Sequence, residues 1–303
     1  MNSIAMRAQN KRAGQALVVF ALMLLGLVAT LALVLDGGNI YLQRRRMQNA
    51  ADAGALAGAR ILALNGTEAE ARAVAQDYAM QRNKADVAQI TITPAQITVI
   101  AEEHSATTFA RIIGIDQLTV TARAVAKFAP VGSLRGLAPI AIRDFDYSFS
   151  VPYTIWDDNP DVPPDPTLGN ISGSYRGWLN LPCVYPMSCG DAGATDLKTW
   201  MVNGYPEITR VNTWVTGSSG VKASTIAQAM VGQVLKIAVY DDIQDKYPNK
   251  GYYHILKFAA FKVTRVYASG NPKGIEGMFE YSFTPGPPDG GEDGGMRTIS
   301  LTN

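Results

Sequence analysis

Cysteine, histidine and charge are scarce in this chain, and each scarcity removes a class of function. Two cysteines and two histidines among 303 residues are too few for a zinc cluster or a disulfide-dense scaffold. Lysine and arginine number 27 against 26 aspartates and glutamates, a net charge of +1. With no basic face and no aromatic-basic motif, no nucleic-acid partner is expected. Catalytic signatures are missing as well. Gly217-Ser218-Ser219-Gly220 lacks the Gly-x-Ser-x-Gly spacing of a nucleophile elbow and reads as a turn. No catalytic residue, cofactor or metal is expected, and the chain is read as no enzyme.

What is present begins with an uncharged run from Ala13 to Leu35. Its last part, Ala16 to Leu35, is about twenty residues and as a helix spans about 30 Å, the thickness of a hydrocarbon core. Each Leu, Val or Phe favours insertion by about 0.3 to 0.6 kcal/mol. An uncleaved single-pass anchor is expected. The alternative is a cleaved secretory signal ending near Thr30-Leu31-Ala32, but the stretch exceeds the usual signal-peptide core. Arg7, Lys11 and Arg12 lie before the span and Arg44, Arg45 and Arg46 after it, so flanking charge barely decides orientation. The cysteine pair and the turn-rich composition favour a C-terminal part outside the cytoplasm.

Asn39 to Leu64 reads as a continuation of the anchor helix. Small residues recur four apart, with Ala50, Gly54 and Gly58 on one line and Ala51, Ala55 and Ala59 on another. Such faces allow close helix packing, either against partner helices or against the chain's own domain. Gly37-Gly38 is a candidate hinge at the membrane surface. Asn65-Gly66-Thr67 stops the helix, and Thr67 caps a second one from Glu68 to Asn83.

Three runs carry a family resemblance: Gly14-Gln15-Ala16-Leu17-Val18-Val19-Phe20, Leu35-Asp36-Gly37-Gly38-Asn39-Ile40-Tyr41, and Met47-Gln48-Asn49-Ala50-Ala51-Asp52-Ala53-Gly54-Ala55-Leu56-Ala57. Together they resemble the N-terminal region of TadE/TadG-like proteins of bacterial Flp (Tad) pilus assembly. The likeness extends more loosely through Thr108-Phe109-Ala110-Arg111-Ile112-Ile113-Gly114 and Leu118 to Ala124, over about residues 12–126. It implies an inner-membrane protein with an extracytoplasmic domain, and other pilus subunits or assembly proteins as partners. Two family features do not carry over. Counting from Gly14, the fifth following residue is Val19, where prepilins have glutamate. An adhesive function resting on a von Willebrand metal site is not expected either.

Beyond the anchor the expected class is α+β. A strand-helix-strand unit over Val87 to Phe128 should pair on the long helix. Its helix runs from Thr107 to Ile113 and ends at Gly114. An antiparallel β-rich domain follows, with strands at Leu137–Ile142, Tyr147–Tyr153, Val234–Tyr240, His254–Tyr267 and Gly277–Phe283. Helical pieces are expected at Trp200–Gly204 and Ser224–Val231. The divisions are 1–35 lead and anchor, 36–130 helical extension with its strands, 131–284 β domain, and 285–303 a flexible Pro/Gly linker with a terminal strand.

Candidate sites are few. Cys183 and Cys189 suit a small disulfide-closed loop in an oxidising compartment. Asp157, Asp158, Asn159, Asp161 and Asp165 crowd one loop, which lacks the Gly and Glu of an EF-hand and reads as solvated. Asp241 and His254 flank neighbouring strands. Tyr153, Trp156, Tyr175, Trp178, Trp200, Tyr205 and Trp214 either fill a β core or form a platform for a surface glycan. The leading function is a structural or assembly component of a Flp/Tad pilus, minor pilin-like or TadG-like. The alternative is a membrane-tethered adhesin or carbohydrate-binding module.

Overall fold

The computed structural model describes residues 3–156, 170–172, 178–187, 189–190, 192–218, 230–247, 250–267, 274–288 and 290–302. The acidic loop at 157–165, Tyr175, and most of the helical piece expected at 224–231 fall outside these residues.

One helix, α1 (Ser3–Ala63), runs through the anchor and its alanine-rich extension without a break. At 1.5 Å per residue its 61 residues reach about 90 Å. The expected hinge at Gly37-Gly38 is absent. Both glycines are helical and have nothing within 4 Å, so no neighbour prises the helix apart there. Asn65, at φ 62°, ends the helix, and Gly66 N–H donates to Ile61 O at 2.8 Å. Thr67 and Glu70 then form a reciprocal capping box for α2 (Glu68–Gln76), which continues as a π-helical turn over Asp77–Arg82.

The first sheet holds β1 (Val87–Thr93), β2 (Gln96–Ala106) and β3 (Gln117–Pro130) as an antiparallel meander. The expected strand-helix-strand unit therefore has one strand more, because Pro94-Ala95 turns the first strand into a hairpin. A short 3-10 turn, Ala110–Ile113, closed by Gly114 at φ 87°, joins β2 to β3. On one face Ile97, Val99 and Ala101 of β2 and Val120, Ala122, Ala124 and Ala126 of β3 are buried with α1 and α2 in one core. Alanine dominates that core, so the layers approach closely.

The second sheet is built from β5 (Leu137–Arg143) and β6 (Pro152–Trp156), with β7 (Asn170–Ser172), β8 (Trp178–Val184) and β10 (Thr213–Ser218). It is completed by β11 (Val234–Tyr247), β12 (Lys250–Tyr267) and β13 (Gly274–Glu280). Short β4 (Ser133–Leu134) and β9 (Thr209–Arg210) pair beside it. The spatial order is β5-β11-β12-β13-β6-β7, with β10 and β8 branching from β12. A purely antiparallel domain was expected, yet β5 runs parallel to β11 and β6 parallel to β7. The chain leaves β5 and returns only after the intervening elements, a crossover that local turn signals do not reveal.

Alternation along β11 feeds two cores. Leu235, Ile237 and Val239 face one, and Ala238 and Tyr240 the other. Helix α3 (Ala194–Asn203) plugs the first with Leu197 and Met201 and ends at Gly204, φ 75°. The strand expected at Tyr147–Tyr153 is displaced to β6. Ser150 turns at φ 64°, and Phe145, Tyr147 and Phe149 leave strand geometry to pack as an aromatic cluster, Tyr147 stacking on Phe279 at 4.0 Å.

The terminal strand expected in the tail is present as β15 (Met296–Thr302), which pairs with β3 of the first sheet and with short β14 (Ser282–Phe283); the linker before it departs from its expectation. Between β14 and β15 the Pro/Gly segment is no loose linker in its described residues. It fills a gap along β12, between the stretch paired to β10 and that paired to β13, and bridges Ala259 through Gly295. A Cβ on Gly294 would lie 2.3 Å from Phe258 O, and one on Gly291 2.8 Å from Leu256 O. The glycines let the backbone lie flat on the sheet.

Candidate functional site

Function concentrates on α1, whose two halves live in different surroundings. From Leu17 to Leu35 the apolar side chains are exposed on every side, Phe20 at 66% and Leu33 at 75%. Water would not tolerate so long an apolar cylinder, and a bilayer would. It is the one helix among the described residues that is long and apolar enough to cross a membrane. Arg12 lies on this helix before the span. Arg44, Arg45 and Arg46 lie beyond it, exposed.

From Met47 onward α1 is seated in the first module. Ala50, Gly54 and Gly58 and the line Ala51, Ala55, Ala59 are all buried within the chain. A Cβ on Gly54 would stand 2.9 Å from Ala75 O, and one on Gly58 3.1 Å from Ala71 O. These small-residue lines therefore make close contact with the chain's own α2 and with Ile97 and Val99 of β2. Of the two expected neighbours, the chain's own domain is the one these positions meet. Asp52 is held by Gln48 Nε2 at 2.8 Å, and Arg60 lies 4.9 Å from the Phe283 ring.

Where the halves meet, Asp36 accepts three backbone N–H groups from the β2–β3 connection: Thr108 at 3.2 Å, Phe109 at 2.9 Å and Ala110 at 2.8 Å. The Ala110 amide above all, with those of Phe109 and Thr108, holds this carboxyl below the ordinary aspartate range, against an opposing effect of burial. Two turns further on, buried Gln43 donates to Ser105 Oγ. The cleft between, lined by Asp36, Asn39, Ile40 and Leu118, has room for no more than a water molecule.

Residues 14–60 match the family described as Putative Flp pilus-assembly TadE/G-like. The chain thus carries a TadE/G-like N-terminal region and a membrane-anchoring helix of a Flp/Tad pilus-related kind. That segment is α1 alone, from the start of the span to the last turn before the cap, and most of the chain lies beyond it. The comparisons with curated proteins and with solved structures each return no match.

Elsewhere, a disulfide joins Cys183 to Cys189, with Cα atoms 5.9 Å apart, at the end of β8. His254 Nδ1 and Asp241 Oδ1 do come together, at 2.7 Å, with the Trp214 ring 4.9 Å from the imidazole. Asp241 is carried there by a bulge in β11 between Tyr240 and Ile243. The bond to Asp241 fixes the orientation of the imidazole. No group of metal-ligating side chains occurs among the described residues.

Of the candidate aromatics, Tyr153, Trp178 and Tyr205 are buried, Trp200 packs against the core and Trp214 is half-buried beside His254, while the side chain of Trp156, like Tyr175, lies outside what the structure describes. Two residues that sequence reasoning passed over matter most, Asp36 and Arg297. Asp36 had two visible marks, as the first carboxylate after the apolar run and as part of the Leu35-Asp36-Gly37-Gly38 run, but neither gave it a role. Arg297 had none.

Proposed function

We propose that the chain is a structural or assembly component of a Flp/Tad pilus apparatus, minor pilin-like or TadG-like, without catalytic activity. It would sit in the inner membrane through Ala16–Leu35, with both sheet modules outside the cytoplasm. The carrying observation is that the TadE/G-like match coincides with one unbroken helix, bare and apolar in its first half and seated on a sheet in its second. Such a division presents the bare half to lipid or to neighbouring subunits while the modules stay outside. Cys183–Cys189 supports the orientation, since disulfides persist in oxidising compartments. Lacking a glutamate at Val19, this helix would not make the charge pairing that prepilin-type subunits use.

The test is to shear pili from producing cells and to probe filaments and membranes for the chain. Intact protein in the filaments identifies a minor subunit, and its first residue reports any cleavage at Gly14. Protein confined to membranes identifies an assembly factor. Absence from both fractions, or a cytosolic location, overturns the proposal.

A further inference from the structure

We propose that the β2–β3 tip, residues 107–116, is a second membrane contact that rests in the lipid headgroup layer beside the span. This depends on the reading of Ala16–Leu35 as the span. Asp36 is the first residue beyond it, and the tip is fastened to that residue by three N–H···O bonds of 2.8 to 3.2 Å. A headgroup layer is about 5 to 8 Å deep on each side of the hydrocarbon. Groups bonded to Asp36 therefore lie within that layer.

The descent of the hairpin follows from two fixed points. Ser105, at the end of β2, is level with Gln43, while Phe109 and Ala110 are level with Asp36. Seven helical residues separate these levels, about 10 Å along the axis. The strands thus point down the anchor toward the membrane.

The tip is also rigid. Thr107 N–H donates to Asp116 O at 3.1 Å and Ile115 N–H to Ala110 O at 3.1 Å, while Thr107 Oγ1 donates to Ile115 O. Gly114, at φ 87°, makes the reversal with open space around it. So braced, the tip exposes Ile115 at 41% and carries half-buried Phe109. Arg111 and Asp116, an exposed pair at 3.5 Å, supply polar groups of the kind that reach headgroups. An apolar side chain presented at headgroup depth finds lipid as its cover, and the contact fixes how the module leans on the anchor.

The test uses the full chain in phosphatidylcholine–phosphatidylglycerol vesicles. Both native cysteines are disulfide-bonded, so one introduced cysteine takes a fluorescent label cleanly. Labels go at Ile115→Cys and Thr108→Cys in the tip, at Thr91→Cys on the far part of β1, and at Leu27→Cys in the span. Nitroxide lipids serve as quenchers at headgroup and at deep acyl positions. The expected result is blue-shifted emission and headgroup-level quenching at 115 and 108, deep quenching at 27, and neither at 91. Tip labels quenched no more than the one at 91, with 27 still quenched, overturn this inference and leave the span standing. A label at 27 that escapes quenching overturns both. Tip labels that become shielded only when other pilus proteins are added assign the tip to a protein partner and overturn the lipid contact.

Discussion

The guanidinium of Arg297 donates to the carbonyl oxygen of Leu62 at 3.1 Å, across 235 residues of chain. It reaches Ala63 O as well, at 3.2 Å, and Asp293 fixes its other side at 2.6 Å. The last turn of a helix leaves carbonyls without partners and carries partial negative charge, so a cation there is favoured twice. Arg297→Ala should cost about 2 kcal/mol, as expected for hydrogen bonds to a charged group. Thermal melting of the full chain in detergent checks this, and Arg297→Lys should recover only part of the loss.

Asp36 predicts a pH dependence. Its carboxyl is held below the ordinary value of 3.8 chiefly by the Ala110 amide. A depressed carboxyl stabilises the fold above the unfolded value and loses that contribution as pH falls through the folded one. Backbone amide resonances of Phe109 and Ala110 should follow the protonation of this carboxyl, with a midpoint below 3.8. Asp36→Asn should release both amides at neutral pH, read as faster hydrogen exchange there and unchanged exchange in β12.

Gly54→Leu should lower stability by about 1 to 3 kcal/mol through overpacking, since even a Cβ meets Ala75 O at 2.9 Å. Gly58→Ala should be milder. Its nearest obstacle at 2.5 Å is the terminal methyl of Ile97 rather than backbone, and alanine returns about 1 kcal/mol of helix propensity. Any assembly defect of Gly54→Leu should then accompany a lowered melting temperature. A defect with an unchanged melt would show that the face meets another subunit after all.

Reducing Cys183–Cys189 should cost about 2 kcal/mol, the loop-closure term for a short loop with a sequence separation of 6. Melting with and without reductant measures it. Alkylating thiols in intact cells before lysis should leave this protein unlabelled if its modules lie outside the cytoplasm.

The tail strap offers a sharper steric case. Gly294→Ala places a Cβ 2.3 Å from Phe258 O and should lift the strap, breaking the Tyr147 hydroxyl's bond to Gly294 O. Protease should then cut within 285–295 faster than in the unaltered chain.

Much of α1 was legible because hydrophobicity and small-residue spacing are local properties. The end of the helix at Asn65 and the cap at Thr67 were equally readable, while the reciprocal bond from Glu70 came from the structure. What the small residues touch was not. Ala50 to Ala59 bear the same pattern whether the neighbour is α2 or another molecule, and only the path of the chain decides. Strands at 137, 234 and 254 showed in their apolar runs, while the parallel pairing of β5 with β11 depended on a long return. The Gly-rich tail misled for a related reason. Glycine marks both chain that nothing holds and chain pressed too close for side chains, and Gly291 and Gly294 are of the second sort.

The chain crosses between the two modules four times: out after Pro130, back into β14 at Ser282, out again as the strap on β12, and back into β15 at Met296, where Val131 N–H bonds to Met296 O at 3.0 Å. A single connection would let the outer module swivel about one backbone. Repeated crossings, the first and last clasped side by side, remove that rotation. A force applied to the outer module would reach α1 by two routes, through β3 and through Arg297 at the helix end. The membrane helix would thus feel both the pull and its direction.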